Sequence, residues 1–230
     1  MILRKNIFPS ITTTPGSDWR AKIKEADELG LVEVALFPTC LDRVGREELY
    51  GLLGKSGIKK IPFVHLRNDM SLEELDLLVG KYGTEVFNTH STVTHPLFFD
   101  LSGYKDKIYL ENVRHIFEES ELNDFAGICI DLSHLENDRL LYPERFENFK
   151  RLIASSRIGC NHINAIQKET HFNEEVEEDR RDCHYVRDLS ELDYLKNYPA
   201  EYFSDFIALE MENDLKTQLA ARDHIVEMLR

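Results

Sequence analysis

Residues 127–134 read Gly-Ile-Cys-Ile-Asp-Leu-Ser-His. A glycine opens a short apolar run, an aspartate closes it, and a segment with helical spacing follows. Short apolar runs bounded this way are the mark of strands buried on both faces, as in a parallel sheet. Working outward in both directions, the same unit recurs: Ile7 to Thr13, Val32 to Phe37, Ile61 to Leu66, Glu85 to Thr89 and Ile108 to Glu111 before it, and Ile158 to Ile163 and Phe206 to Glu210 after it. Between them lie segments with helix signals. Asp18 to Leu29 stops at Gly30, a capping box at Ser71–Glu74 opens a helix that Gly83 closes, and Asp188–Glu191 repeats the box. Strand and helix alternate throughout, and eight strands is the number that a closed (β/α)8 barrel requires.

The expectation is therefore an α/β protein, a single compact TIM barrel domain over residues 1–230. Two irregularities stand out. His-Pro-Leu-Phe-Phe-Asp-Leu-Ser-Gly-Tyr-Lys-Asp (95–106) is too short and irregular for a full helix, so the crossover after the fourth strand is expected to be reduced. After the seventh strand comes a long polar insert, 164–187, carrying the acidic run Glu-Glu-Val-Glu-Glu-Asp (174–179), expected to be a solvated loop.

With 230 residues, 42% hydrophobic and 30% charged, the composition is that of an ordinary globular chain, and a net charge of -14 offers no general basic surface for nucleic acid. No run approaches the length of a membrane span, and the opening residues lack the apolar core of a signal peptide, so a cytoplasmic protein is expected. The four cysteines have no C-x-x-C spacing; Cys129 and Cys160 fall inside apolar runs and read as reduced core residues.

In a parallel barrel the polar residues that close the strands point at a common centre. Here those residues are His65, His90, Glu111, Asp131 with His134 just past it, His162 and Glu210. Buried imidazoles and carboxylates that converge must be paired, protonated or metal-bound, because isolated buried charge is too costly, and a metal satisfies many acceptors at once.

On these residues, from His65 to Glu210, and on the D-x-x-H of Asp131–His134, the chain resembles the xylose isomerase-like barrels, which include endonuclease IV (the second apurinic endonuclease family) and many sugar isomerases and epimerases. The resemblance implies that Glu111, Asp131, His162 and Glu210 hold a divalent metal. Endonuclease IV is closest in ligand pattern; it holds three zinc ions, and the resemblance to it implies further ligands at His65, His90, His134, Asp182 and His184. His65, His90 and Glu111 would hold one ion, Glu111 would bridge to the tetrad's ion, and His134, Asp182 and His184 would hold a third. Zinc is the first expectation for imidazole with carboxylate, with manganese or iron next.

Three functions follow. One is a trinuclear zinc phosphodiester hydrolase acting on abasic DNA or a smaller phosphoester, with Glu111 and Glu210 as catalytic carboxylates and Arg67, Lys168, Arg180 and Arg181 as phosphate-holding cations. A second is a sugar or sugar phosphate isomerase or epimerase with one metal on the tetrad. The third is a metal-binding barrel without turnover. The chain departs from endonuclease IV in its shortness, in Ile163-Asn164-Ala165 after His162, and in Glu-Asn-Val at 111–113, all of which bear on DNA recognition. His95, His171 and His224 read as surface residues, and His115 as a helix residue beyond Glu111.

Overall fold

Pro9 divides the first strand. A proline has no N–H to give a ladder, so the chain forms β1 (Ile7–Phe8) and β2 (Ser10–Thr12) on either side of it. The two halves pair with different neighbours, and this closes the barrel. In the computed structural model, which describes residues 7–113, 119–174 and 177–230, the remaining strands of the main sheet are β3 (Ala35–Phe37), β4 (Phe63–His65), β5 (Val86–Thr89), β6 (Ile108–Glu111), β7 (Gly127–Asp131), β8 (Ile158–Ile163) and β11 (Ile207–Leu209). The sheet runs β1-β11-β8-β7-β6-β5-β4-β3-β2, all parallel. Its two end strands are consecutive in the chain, so the nine segments make the eight staves of a barrel.

Side chains tie the seam between the first and last staves. Gln218 is fully buried; its Nε2 donates to the carbonyls of Ser10 and Met211, each at 3.1 Å, and its Oε1 accepts from Ser10 N at 2.6 Å. The Thr12 hydroxyl and Lys22 Nζ both donate to the Met211 carbonyl, at 3.0 and 2.7 Å. Gln218 thus supplies the pairing that Ser10 N does not find in the ladder.

The outer helices are α1 (Trp19–Glu28), α2 (Arg43–Leu53), α3 (Leu72–Tyr82), α4 (Leu132–Leu141), α5 (Pro143–Ser155) and α6 (Leu215–Met228). The Ser71–Glu74 capping box opens α3, and Gly83, at φ 66°, takes the left-handed turn that ends it. Asp188–Glu191 also forms its box, but on a 3-10 segment, Leu189–Asn197, rather than an α-helix. The connection from β5 to β6 contains the 3-10 segment Ser102–Lys107 in place of a helix, and a cavity of about 500 Å³ lined by Leu97, Phe99, Leu101 and Phe125 opens there.

The insert after β8 differs from expectation. It is an antiparallel hairpin, β9 (Ala165–Asn173) with β10 (Glu178–Cys183), rather than a solvated loop. Two contacts lay it against α4: Arg181 N donates to Asn137 Oδ1 at 2.8 Å, and Tyr142 OH donates to the Asp179 carbonyl at 3.0 Å. Glu175 and Val176 of the acidic run lie outside the described residues, as does His115.

The barrel interior is a layer drawn from every stave: Phe8, Ala35, Phe37, Phe63, Val86, Tyr109, Cys129, Cys160 and Ala208. Cys129 and Cys160 are buried free thiols, as their apolar surroundings imply. Tyr109 fills the floor, and a Cβ at Gly159 would collide with its ring. Replacing Gln218 with Leu would strand the buried Ser10 N–H, and one unsatisfied buried donor costs about 2 kcal/mol. Urea denaturation of Gln218→Leu is expected to show an unchanged slope and a midpoint lowered by about 2 kcal/mol divided by that slope.

Candidate metal centre

Strand geometry turns the interior layer into a site. Side chains alternate along a strand, so the residue two places after each inward apolar residue also points inward, one layer nearer the carboxyl end. From Phe63, Val86, Tyr109, Cys129, Cys160 and Ala208 the step of two reaches His65, Asn88, Glu111, Asp131, His162 and Glu210. A second step from Asn88 reaches His90. All but His90 are buried, and His90 is half-buried.

Two groups of donors form. Glu111, Asp131, His162 and Glu210 present ligand atoms within 4.8 Å of one another, and so do His65, His90 and Glu111. In the first, His162 Nδ1 lies 3.5 Å from Glu111 Oε1, 3.5 Å from Glu210 Oε2 and 3.8 Å from Asp131 Oδ2. Neither ring nitrogen of His162 makes a hydrogen bond, although the ring is fully buried between Phe37 and Phe63. Those separations are long for hydrogen bonds. They match ligands around a shared cation, since tetrahedral bonds of about 2.1 Å hold neighbouring donors about 3.4 Å apart. In the second group His65 Nε2 and His90 Nε2 lie 3.1 and 3.9 Å from Glu111 Oε2. The residues present therefore fit a divalent metal.

The third set is not assembled. His134 Nε2 comes within 3.4 Å of Asp182 Oδ2, but Arg180 grips both Asp182 oxygens, and His184 Nδ1 turns to Glu210 Oε1 at 3.9 Å. Asp182 and Arg180 sit two residues apart in β10, across a register irregularity of the hairpin, and both are buried. His134 Nδ1 lies 3.0 Å from the Asn112 carbonyl.

The asparagines around the site were not legible as ligand positions. Asn88 Nδ2 donates to Glu111 Oε2 at 2.5 Å, and Asn164 Nδ2 to Glu210 Oε2 at 3.3 Å. Asn112 pins Asp131 by its backbone, accepting from its N at 2.7 Å and donating to its O at 3.0 Å. Asn88 could have been found from its place two before His90. A neutral amide otherwise resembles any turn residue.

Of the four candidate phosphate-holding cations, Arg67 borders a cavity that also touches His65 and His90. Lys168 is exposed on the hairpin, Arg181 donates to Thr170 Oγ1 at 3.2 Å, and Arg180 is committed to Asp182. His95, read as a surface residue, is exposed but sets its ring 5.2 Å from that of His90; His171 is exposed, and His224 pairs with Asp193 at 2.9 Å.

Burial pushes the Glu111 carboxyl up, but the neighbouring His162 and His65 outweigh it and hold the group well below its usual range. Glu210 is held down in the same way, by His184 and His162 against burial. Burial pulls His162 towards neutrality; the Cys129 sulfur and the Glu111 carboxylate reverse this and raise it well above the usual value. Burial brings His90 down to about 4, leaving a neutral imidazole with its lone pair free.

Without metal, the surroundings favour the protonated form of His162 and the ionised forms of Glu111 and Glu210. An entering cation must displace that one proton. Affinity for Mn(II), followed by the electron paramagnetic resonance signal of the free ion, is expected to rise with pH over the range below the raised His162 value, by up to about tenfold per pH unit. Affinity independent of pH over that range would contradict this charge assignment.

No family model matches the chain, and no curated protein matches it. Among solved structures, a xylose isomerase-like TIM barrel protein from Mycobacterium smegmatis, in complex with magnesium, is similar over 100% of this chain and 98% of that one, with 15% identity and a TM-score of 0.51. At that identity the likeness speaks for the fold. The chain has the fold of the xylose isomerase-like TIM barrels, with a possible metal-binding cluster at the carboxyl ends of its strands.

Proposed function

We propose that the chain, one barrel domain over residues 1–230, is a divalent-metal-dependent enzyme that isomerises or epimerises a small hydroxy-carbonyl compound such as a sugar or sugar phosphate. One observation carries this reading. The four donors of the tetrad lie together, while in the third ligand set of a trinuclear centre Asp182 is paired with Arg180 and His184 turns to Glu210. Net charge of -14 also disfavours a DNA substrate, and no helix among the described residues is long and apolar enough to cross a membrane.

Glu111, Asp131, His162 and Glu210 would hold the ion. Three carboxylates with one imidazole suit manganese, and the oxygen-rich set also admits magnesium, the ion in the similar barrel; zinc is better matched to His65, His90 and Glu111. A divalent ion bound there supplies Lewis acidity towards the substrate's carbonyl oxygen. Proton transfer falls to the chain's own carboxylates. Glu111 and Glu210 flank His162 at equal distances of 3.5 Å, so both border the same small volume. Either one can take the proton from the carbon beside the carbonyl and return that same proton to the neighbouring carbon, while the hydroxyl proton passes between the two substrate oxygens. Both are held low in pKa, so both begin as bases. Asn88 and Asn164, donating to these carboxylates, keep one oxygen of each in a fixed direction.

A second reading, phosphoester hydrolysis at a two-metal centre, has its own support. His65, His90 and Glu111 form a further donor group that shares Glu111 with the tetrad. Metal content separates the two. Elemental analysis of protein purified without chelator is expected to give close to one ion per chain, with Asp182→Ala leaving that number unchanged. A reproducible value near two, with turnover of a model phosphodiester, favours the hydrolase; near three, with loss of one ion in Asp182→Ala, restores the trinuclear centre. A loaded protein inert to both substrate classes would leave a metal-binding barrel without turnover.

A further inference from the structure

Beside the metal centre, between the loops that follow β4 and β5, lies a cavity of about 310 Å³ bordered by Thr39, His65, Arg67, Asn68, His90 and His95. None of its bordering residues is acidic among those described, in a chain whose net charge is -14. His65 and His90 belong at the same time to the donor group with Glu111, so the cavity opens directly onto the metal centre.

Arg67 is held in place by Asp69 and Thr39. Its Nε donates to Asp69 Oδ1 at 2.9 Å, one terminal nitrogen to Asp69 Oδ2 at 3.3 Å, and the other to the Thr39 carbonyl. Asp69 is in turn fixed from behind by the fully buried Arg46, whose Nη1 donates to Asp69 Oδ1 at 3.1 Å and whose Nε donates to Glu74 Oε1 at 2.7 Å. A guanidinium has five N–H groups, of which three are used here. The remaining two, one on each terminal nitrogen, have no partner among the described residues. Asn68 ties the two loops together, its carbonyl accepting from Phe98 N at 2.8 Å and its Nδ2 donating to the Pro96 carbonyl at 3.2 Å. The wall is thereby set before any ligand arrives, which lowers the ordering cost of binding.

We infer that this cavity receives the oxyanion end of the substrate, a phosphoryl or carboxylate group held by the free N–H pair of Arg67 with His95 beside it, while the carbonyl end reaches the tetrad. Paired N–H donors in one plane match two oxygens of such a group. A volume of about 310 Å³ exceeds what an isolated phosphate fills and leaves room for a short carbon chain. The inference rests on the metal-dependent reading for the position of the carbonyl end, but the anion site itself needs no metal.

The test uses the full chain stripped of metal with chelator, and in parallel the Mn(II)-loaded chain, titrated with inorganic phosphate and with acetate by calorimetry. At least one of the two anions is expected to bind the stripped protein, about tenfold more weakly in Arg67→Gln and several-fold more weakly in Arg67→Lys, which keeps the charge and loses the fork. Mn(II) affinity of both variants should stay within about twofold of the parent, which loss of fold would not allow. Tighter phosphate points to a phosphorylated substrate and tighter acetate to a hydroxy acid. Should neither anion bind, or should Arg67→Gln and Arg67→Lys bind as the parent does, the inference is overturned while the metal reading stands. If anions bind through Arg67 but no Mn(II) is taken up, the metal reading fails and the anion site survives.

Discussion

Three carboxylates, Glu111, Asp131 and Glu210, are buried around the one imidazole of His162, and their mutual repulsion in a poorly solvated space must be answered by positive charge. Without metal, part of the answer is a protonated His162, favoured against burial by the Cys129 sulfur and the Glu111 carboxylate. One imidazolium does not balance three carboxylates, and its nitrogens make no hydrogen bond with them. A divalent ion balances two charges and satisfies all four donors at once. The barrel is arranged around this imbalance. Phe37 and Phe63 hold the His162 ring from below, Asn112 fixes the Asp131 backbone, and Asn88 and Asn164 orient the two glutamates.

Such a cluster tolerates little play, which explains the attention the chain gives to its seam. A proline within the first strand removes a ladder donor where the barrel must close, and Gln218, Thr12 and Lys22 replace lost pairing with side-chain bonds. Glu210 sits one residue beyond β11, directly beside that seam, so slippage there would move a ligand. Closure and catalysis are in this sense one problem.

Much of this was readable from the sequence because the barrel's two periodicities are simple. Each of the eight expected strands contains an observed one, and the step of two from an apolar inward residue to a polar strand end marks His65, Glu111, Asp131, His162 and Glu210 without any three-dimensional information. The hairpin was not readable. β10, Glu-Asp-Arg-Arg-Asp-Cys, has neither apolar alternation nor β-branched residues. Its charges are tolerated in a strand because they pair locally or across to α5, Arg180 with Asp182 and Glu178 with Arg145. Pairing of that kind depends on which residues the fold brings together. For the same reason the sequence could propose Asp182 as a ligand while giving no sign of its pairing with Arg180.

Arg180 also bears on why a barrel of this kind can support different chemistries with nearly the same ligands. Its guanidinium occupies both oxygens of the carboxylate nearest His134, and burial of the pair, 8% and 7% exposed, makes the exchange of that partner for a metal expensive. Both residues are buried on β10, so the present partner of Asp182 is a residue outside the expected ligand set. Glu111, Asp131, His162 and Glu210 stand at the strand ends of the barrel wall, whereas Arg180 and Asp182 stand on the hairpin added to it.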